Sequence, residues 1–134
     1  MNNPNEKYTA TIPVEVSITT LWDIMTTMRE TCYEWFGFKH VIRAGEKTNH
    51  PLDVTSFTAL EIDCDGDCQV MSEYVVTPRM VFDGMVKMTC GNIVNKPNTN
   101  TILRCLAEDD ASYIDSDAAD CILQYVCFGE IRYG

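Results

Sequence analysis

The apolar residues of this chain recur with two different periods, and segments of the two kinds are interleaved along the sequence. Leu21, Ile24 and Met28 repeat at the spacing that places residues on one side of an α-helix. Residues 7–18 instead alternate between apolar and polar positions, as a half-buried β-strand does. Because each such element has one apolar side that must be buried against another element, the pattern predicts an α+β fold.

Turn and capping residues set the expected ends of these elements. Pro13 cannot donate a ladder hydrogen bond, so the first strand is expected at a sheet edge or with a bulge there. Asp65-Gly66 predicts a hairpin, and Thr77-Pro78 predicts the start of a helix. The predicted strands are residues 7–18, 38–44, 56–64, 68–75, 101–106 and 130–133. The predicted helices run from Ser17–Thr20 to Gly37, from Thr77 to Gly91, and from Asp115 or Ser116 to Gly129.

Together these elements predict one domain that covers residues 1–134, with residues 1–6 disordered. Its sheet, antiparallel or mixed, is expected to contain about four to six strands and to pack against three helices. The hydrophobic fraction of 46% is enough for a substantial core. The last helix is apolar on nearly all sides, which predicts deep burial or burial against a second copy of the chain.

The balance of charge limits the possible partners. The chain has 10 basic and 20 acidic residues, and its formal net charge is −10. Nucleic acids and anionic membranes are bound through Lys and Arg, so direct binding to either is not expected. Seven cysteines, with no signal peptide before them and no apolar run long enough to cross a membrane, predict a cytoplasmic protein with free thiols.

Sequence motifs of catalysis are absent. The chain contains no phosphate-binding glycine loop, dinucleotide-binding motif, nucleophile elbow or zinc-protease motif. Its two histidines, His40 and His50, belong to no recognisable cysteine–histidine signature. Cys64-Asp-Gly-Asp-Cys68 lacks the second ligand pair of a zinc site, so a hairpin turn is expected there. We therefore expect a binding protein that is not an enzyme and that needs neither a cofactor nor a metal.

The segment SDAADCILQYVCFGEIRYG, residues 116–134, is distinctive. It resembles the end of a group of small, mostly uncharacterised phage-encoded proteins, in which a segment like DADCIIQYALFGEIVYG occurs. Tyr33 and Trp35 loosely match an aromatic pair of that group. Here, however, Glu34 separates the two rings, and Glu30-Thr31 replaces the usual glycine pair. The resemblance implies a phage origin and an accessory role, and by analogy such a role includes disarming host immunity.

The first function hypothesis is a protein that binds and sequesters a nucleotide-type host immune signal without cleaving it. Aromatic rings would stack on the base, and guanidinium groups would hold the phosphates. Arg79, which follows Pro78, is well placed to hold a phosphate because the start of a helix attracts anions. The predicted ligand-binding residues are Tyr33, Trp35, Arg43, Arg79 and Arg104. A homodimer or larger homo-oligomer is expected, with pockets near the interface.

The alternative is an acidic protein inhibitor, similar to anti-CRISPR nucleic-acid mimics, that occupies a basic groove of a host defence effector. The predicted partner-binding residues are Asp109, Asp110, Asp115 and Asp117. The same carboxylates also suit the start of the last helix, where the helix dipole favours negative charge. A small hydrolase acting on a nucleotide is the third hypothesis, for which the sequence gives no positive sign.

Overall fold

The computed structural model describes residues 3–8, 10, 13–63, 69–90 and 98–134. This part of the chain forms four α-helices and a three-stranded antiparallel sheet in the order β1-β2-β3. The strands are β1 (Phe36–Arg43), β2 (Val54–Asp63) and β3 (Gln69–Val76). The helices are α1 (Ile18–Thr31), α2 (Pro78–Cys90), α3 (Thr99–Glu108) and α4 (Ser116–Phe128), and a short 3₁₀ helix, Ala111–Tyr113, lies between α3 and α4.

The ends of two helices follow local capping rules. At the start of α4 the Asp115 side chain accepts a hydrogen bond from the Ala118 amide (2.8 Å), and Gly129 ends this helix with a φ of +74°. At the start of α2 the Thr77 hydroxyl oxygen accepts a hydrogen bond from the Met80 amide (3.4 Å). The predicted start of α2 and both predicted ends of α4 are therefore confirmed.

The start of α1 is capped from a distant part of the chain. The amide and the hydroxyl of Ser17 donate to the Asp109 carboxylate (3.0 and 2.5 Å), and the Thr20 hydroxyl donates to it as well (2.6 Å). Asp109 itself follows the last residue of α3 and has a left-handed conformation, with a φ of +51°. One carboxylate therefore joins the end of α3 to the Ser17 amide and to two hydroxyl groups at the start of α1.

The sheet has one buried face and one open face. Phe36, Phe57, Ala59 and Val76 are at most 2% exposed, and they belong to the core that the helices cover. Successive side chains in a strand point to opposite faces, and Val75, the neighbour of Val76, is 64% exposed. Helix α1 packs on β2 and on α4, and α4 packs on α2. The core thus lies between the helices and the inner face of the sheet.

Helix α4 is buried within its own chain. Ala118, Ala119 and Leu123 have no exposed surface, and α1 and α2 pack against the helix. Deep burial is therefore the reason for its apolar sequence, and α4 gives no support to the expected homo-oligomer. Gly84 in α2 permits the close contact between the helices, since a Cβ atom there would lie 2.8 Å from Cγ2 of Val126.

The predicted α+β class is confirmed, but the predicted numbers of elements are wrong. The described residues form three strands instead of four to six, and four helices instead of three. The predicted strand at residues 101–106 belongs to α3, where Ile102, Cys105 and Leu106 are buried at helical spacing. A segment of six residues is too short for its apolar pattern to separate a helix from a strand.

Three other boundaries also differ from the predictions. Residues 13–17 are irregular and lead directly into α1, while other parts of the predicted first strand lie outside the described residues. Helix α1 ends at Thr31, and Gly37 lies in β1 instead of ending the helix. Residues 130–133 form no strand, because their amides bond to a side chain of α4. The predicted Asp65-Gly66 turn lies outside the described residues, but the antiparallel pairing of β2 and β3 that it predicts is present.

Candidate functional site

Tyr33 and Trp35, the two predicted stacking residues, lie in the turn between α1 and β1. Tyr33 is 57% exposed, and its ring meets the Phe38 ring edge to face with centroids 6.0 Å apart. The Trp35 ring is covered, because the Tyr133 ring stacks on it with centroids 4.7 Å apart and an interplanar angle of 10°. The C-terminal segment thus occupies a face of Trp35 on which a base would stack, while Tyr33 is open to solvent.

The three predicted arginines lie on different elements, and each has a partner of its own. Arg43, the last residue of β1, donates a hydrogen bond to a loop carbonyl. Arg79 forms an ion pair with Asp83, one helical turn further along α2, at 3.2 Å. The Arg104 guanidinium lies 5.7 Å from the centre of the Tyr113 ring. Local partners therefore explain the position of each arginine.

The five predicted ligand-binding residues do not converge on one cavity. Strand β1 rises about 3.3 Å per residue, so Arg43 lies roughly 25 Å along the strand from Trp35. Arg79 lines a mostly apolar groove of about 410 Å³, together with Val14, Ile18 and other residues near the starts of α1 and α2. A nucleotide is too small to contact both ends of β1, so each of these residues remains a separate prediction.

The four predicted partner-binding carboxylates are exposed, and each also accepts a hydrogen bond from its own chain. Asp109 caps α1, as described above. Asp110 caps the 3₁₀ helix through the Ser112 amide, and Asp115 caps α4. Asp117 accepts a hydrogen bond from a side-chain amide at 3.1 Å. The carboxylates thus have structural roles at the starts of helices, and these roles leave their charges at the surface.

Further carboxylates lie beside these four along α1. We use the name carboxylate strip for the combined set, which consists of Asp23, Glu30, Glu34, Asp53, Asp109, Asp110, Asp115, Asp117 and Asp120. Asp109 lies at the start of α1, and Asp117 lies near its end. Because α1 has 14 residues, the strip is roughly 20 Å long. Asp120 follows Asp117 by three residues in α4, whereas sequence reasoning missed Asp23, Glu30, Glu34 and Asp53, since only the fold brings these four beside the aspartates of the α3–α4 region.

Mutual repulsion within the strip affects the pKa of its half-buried members. Burial is the main cause of the raised pKa of Asp23; the charge of Asp53 raises it further, and His50 opposes this rise. Burial likewise raises the pKa of Asp120, and Glu34 adds to the effect. Within the described residues no Lys or Arg forms an ion pair with any member of the strip, and the only cationic partner is the His50 imidazole, 3.5 Å from Asp53, when it is protonated.

A cleft of about 210 Å³ opens at one end of the strip, between the end of α1 and the start of α4. Glu34, Asp117 and Asp120 line it, together with Ser116 and Thr31. The part of the chain that the structure describes contains no group of three or more His, Cys, Asp or Glu side chains placed to hold a metal ion. Carboxylates around a cleft also suit a guanidinium group, whose several donors reach different acceptors from one point.

A guanidinium that sequence reasoning did not single out lies beside Tyr33. Cζ of Arg29 is 5.8 Å from the centre of the Tyr33 ring and 5.9 Å from that of Phe38, and its Nη1 donates to the Tyr33 hydroxyl. Its Nε is buried without a hydrogen-bond partner, and no described carboxylate forms an ion pair with it. The four-residue spacing of Arg29 and Tyr33 is the sequence signal that could have indicated this pair.

The C-terminal segment, residues 116–134, has a structural role. Gln124 in α4 is fully buried, and its Oε1 accepts hydrogen bonds from the amides of Arg132 (2.9 Å) and Tyr133 (2.7 Å). Its Nε2 donates to Asp120 (2.8 Å) and to the Tyr133 carbonyl (3.2 Å). The buried Glu61 carboxylate accepts from the Arg132 guanidinium (3.0 Å) and from the Tyr133 hydroxyl (2.7 Å). These hydrogen bonds fix the C-terminal residues against β2 and α4.

The cysteines within the described residues are free thiols. Burial raises the pKa of Cys32 and Cys127 to about 12, and that of Cys105 and Cys121 to about 11. At neutral pH these four thiols stay protonated, and a protonated thiol is a poor nucleophile. The predicted cysteine turn at residues 64–68 lies outside the described part of the chain.

Comparison of the chain with known protein families, curated proteins and solved structures finds no match. None of the helices in the described ranges combines the length and the apolar character that a membrane crossing requires. The functional conclusion therefore depends on the geometry of the carboxylate strip and of the Arg29–Tyr33 pair.

Proposed function

We propose that this protein binds without catalysis and docks its carboxylate strip on a basic groove of a host defence protein. The observation that carries the proposal is the uncompensated charge of the strip. Its nine carboxylates are exposed or half-buried, and no Lys or Arg among the described residues forms an ion pair with them. Because the described Lys and Arg side chains leave these carboxylates without ion pairs, the strip can accept cations from a partner.

The charge density of the strip is similar to that of a nucleic acid. Nine carboxylates along roughly 20–25 Å give about one charge per 2–3 Å, whereas duplex DNA carries one per about 1.7 Å. A groove that binds nucleic acid through Lys and Arg has the complementary pattern. Bonds between carboxylate and guanidinium groups are charge-assisted, which makes them stronger and more specific in geometry than neutral hydrogen bonds.

Capping hydrogen bonds prepare the strip for binding. Asp109, Asp110 and Asp115 are each held by a backbone amide, so these side chains lose little further freedom when a partner orders them. Hydrogen bonds from Ser17 lower the pKa of Asp109, and those from Ser112 lower the pKa of Asp110. Both carboxylates therefore stay charged at any pH at which a host cell works.

The class of partner follows from the resemblance of residues 116–134 to phage-encoded proteins. An accessory phage protein in the host cytoplasm meets defence effectors that bind nucleic acids. Among these, RNA-guided nucleases hold their heteroduplex in a positively charged channel. A channel of this kind is the complement that the carboxylate strip requires, and its occupation would block the natural substrate without any chemical step.

A second candidate function is sequestration of a nucleotide-type immune signal, and the Arg29–Tyr33 pair favours it. Like Arg43 and Arg104, Arg29 forms no ion pair with a described carboxylate, but its guanidinium also lies beside the exposed Tyr33 ring. Arg29 could bind a phosphate while the exposed Tyr33 ring stacks on a base. In this version of the hypothesis, Arg29 and Tyr33 bind the ligand, and Arg43, Arg79 and Arg104 do not.

Paired substitutions test the first candidate. The variant Asp110→Asn/Asp117→Asn removes two charges from the strip, and Asn at position 110 can still cap the 3₁₀ helix. The control variant Glu15→Gln/Asp83→Asn removes two charges outside the strip. Binding to a guide-RNA-loaded CRISPR nuclease, measured by biolayer interferometry, should weaken at least about tenfold for the strip variant and less than about twofold for the control. Binding of the unchanged chain should weaken steeply as salt is added.

Equal weakening by the two variants would show that net charge alone drives binding, and binding that is insensitive to salt would also contradict the first candidate. Calorimetric titration with cyclic nucleotides and cyclic ADP-ribose isomers tests the second. Arg29→Gln and Tyr33→Ala should each abolish the heat of binding, and heating the complex should release the ligand intact. Recovery of a cleaved ligand would indicate a hydrolase instead.

A further inference from the structure

The face of the sheet that points away from the helices carries four apolar side chains among three polar ones, and it is partly exposed. Its side chains are Lys39, Thr58, Leu60, Ile62, Val70, Glu73 and Val75, as the strand register places them. Val70 and Val75 are more than half exposed. Gly37 leaves room on this face for the Ile62 side chain, because a Cβ atom at position 37 would lie only 2.8 Å from Cδ1 of Ile62. We use the name outer sheet face for this surface.

The edges of the sheet are less suited to a partner than its outer face. β1 has a register shift between Lys39 and Ile42, where His40 has a φ of +51°. The pairing of β2 with β3 shifts between Glu61 and Ile62. Bulges of this kind bend an edge strand and interrupt its row of free backbone groups, so they disfavour the addition of a further strand. A partner of this sheet would therefore pack on the face.

The charges on the outer sheet face match a second copy of the same surface. Its two charged residues are Lys39 and Glu73, which form an ion pair at 2.6 Å over β2 and leave the face neutral. In a twofold arrangement Lys39 of one copy can approach Glu73 of the other, so that the surface complements itself. Two strips of carboxylates would repel each other, whereas packing on the sheet keeps both strips on the outside of the pair.

We propose that two copies of this chain associate through their outer sheet faces. This inference goes beyond the proposed function and does not depend on it. Three strands about 4.8 Å apart and about eight residues long cover roughly 15 by 26 Å, or about 400 Å² per copy. Stable complexes bury about 800 Å² per partner, so an interface of about half that size belongs to the weak, transient class.

Sedimentation velocity over a wide concentration range, from about 5 to 500 micromolar, tests the proposal for a weak dimer. The unchanged chain should move from the 15.2 kDa monomer to a dimer as its concentration rises. Leu60→Glu, on the central strand, places two like charges close to the twofold axis and should raise the dissociation constant at least about tenfold. Leu103→Glu, on the exposed side of α3, is the matched control and should leave it unchanged.

Charge exchange separates this arrangement from other dimers. Lys39→Glu and Glu73→Lys each create like charges on the outer sheet face, and each should weaken the dimer, whereas the double variant should restore it. Circular dichroism melts show whether each variant remains folded. A chain that stays monomeric at the highest concentration, a dimer that is unaffected by Leu60→Glu, or a double variant that fails to recover would overturn the proposal.

Discussion

Gln124→Leu is the substitution that best tests how the C-terminal residues are held. The side chain of Gln124 has no exposed surface, and three of its four hydrogen bonds go to the backbone of Arg132 and Tyr133. Leucine has a similar volume and leaves no large cavity, but it can make none of these bonds. The substitution therefore removes polar contacts while largely preserving the packing of α4.

The expected cost is about 2–4 kcal/mol. An intramolecular hydrogen bond contributes a net value of roughly 0.5–1.5 kcal/mol, and the released backbone groups of Arg132 and Tyr133 can turn to water. A chain of 134 residues has a free energy of unfolding of roughly 7–20 kcal/mol, so the loss is a large share of the total. The melting temperature should fall by roughly 10 °C.

Urea unfolding monitored by tryptophan fluorescence measures the loss in free energy of unfolding. The same signal reports whether the C-terminal residues still lie against Trp35. Trp22→Phe leaves Trp35 as the reporter, and the emission of Trp35 should change when Tyr133 no longer stacks on it. The essential control is a chain that ends after Gly129. In that chain Gln124→Leu should cost less than about 1 kcal/mol, because only the hydrogen bond to Asp120 remains to be lost.

An equal cost in the full and shortened chains would refute this reasoning, since it would show that Gln124 stabilises α4 without the C-terminal residues. Unchanged fluorescence of Trp35 in the full-length variant would refute it as well, because the stacked Tyr133 ring would then be held by other contacts. Gln124→Glu offers a further comparison, since it keeps both acceptor bonds to the amides and loses the two donor bonds.

Three further predictions concern packing, capping and pH. Gly84→Ala should destabilise the protein by about 1–2 kcal/mol in urea unfolding, despite the higher helix propensity of alanine, because the added Cβ meets Val126. Asp109→Ala should cost about 1 kcal/mol and Asp109→Asn less, since asparagine can still accept the bonds that cap α1. Burial raises the pKa of Asp23 and Asp120 above their usual 3.8, so the free energy of unfolding should rise as the pH falls through their folded-state pKa values. Hydrogen bonds lower the pKa of Asp109, so the stability that this carboxylate contributes is lost only below pH 3.8. The melting temperature should therefore rise on acidification and fall again once the pH is below 3.8, and Asp120→Asn should flatten the rise.

Local sequence patterns correctly predicted the helices and strands that have one apolar and one polar side. β2 and β3 lie within two residues of their predicted limits, and α2 begins where Thr77-Pro78 predicts. The prediction failed where two elements share one pattern: residues 101–106 contain apolar residues that fit a short strand, and they form a helix because α2 covers one side of it. Propensity and spacing cannot show which neighbour will cover a segment.

The candidate site was harder to predict than the fold because its contacts join distant parts of the chain. Asp109 caps Ser17 across 92 positions, and Arg132 reaches Glu61 across 71. Arg43 and Trp35, by contrast, are near in sequence but lie at opposite ends of one strand. Residue types alone indicated aromatic rings and arginines as a ligand site, whereas the extended shape of β1 keeps them apart.

The structural and functional explanations of the acidic residues do not exclude each other. A capping carboxylate uses one oxygen for the helix amide: in Asp110 and Asp115 the Oδ1 atom accepts the bond. The second oxygen and the full negative charge stay available to a partner. Asparagine keeps the capping oxygen and removes the charge, so Asp→Asn substitutions should leave the melting temperature nearly unchanged while they reduce binding. A fall in stability that parallels the loss of binding would mean that these carboxylates serve the fold alone.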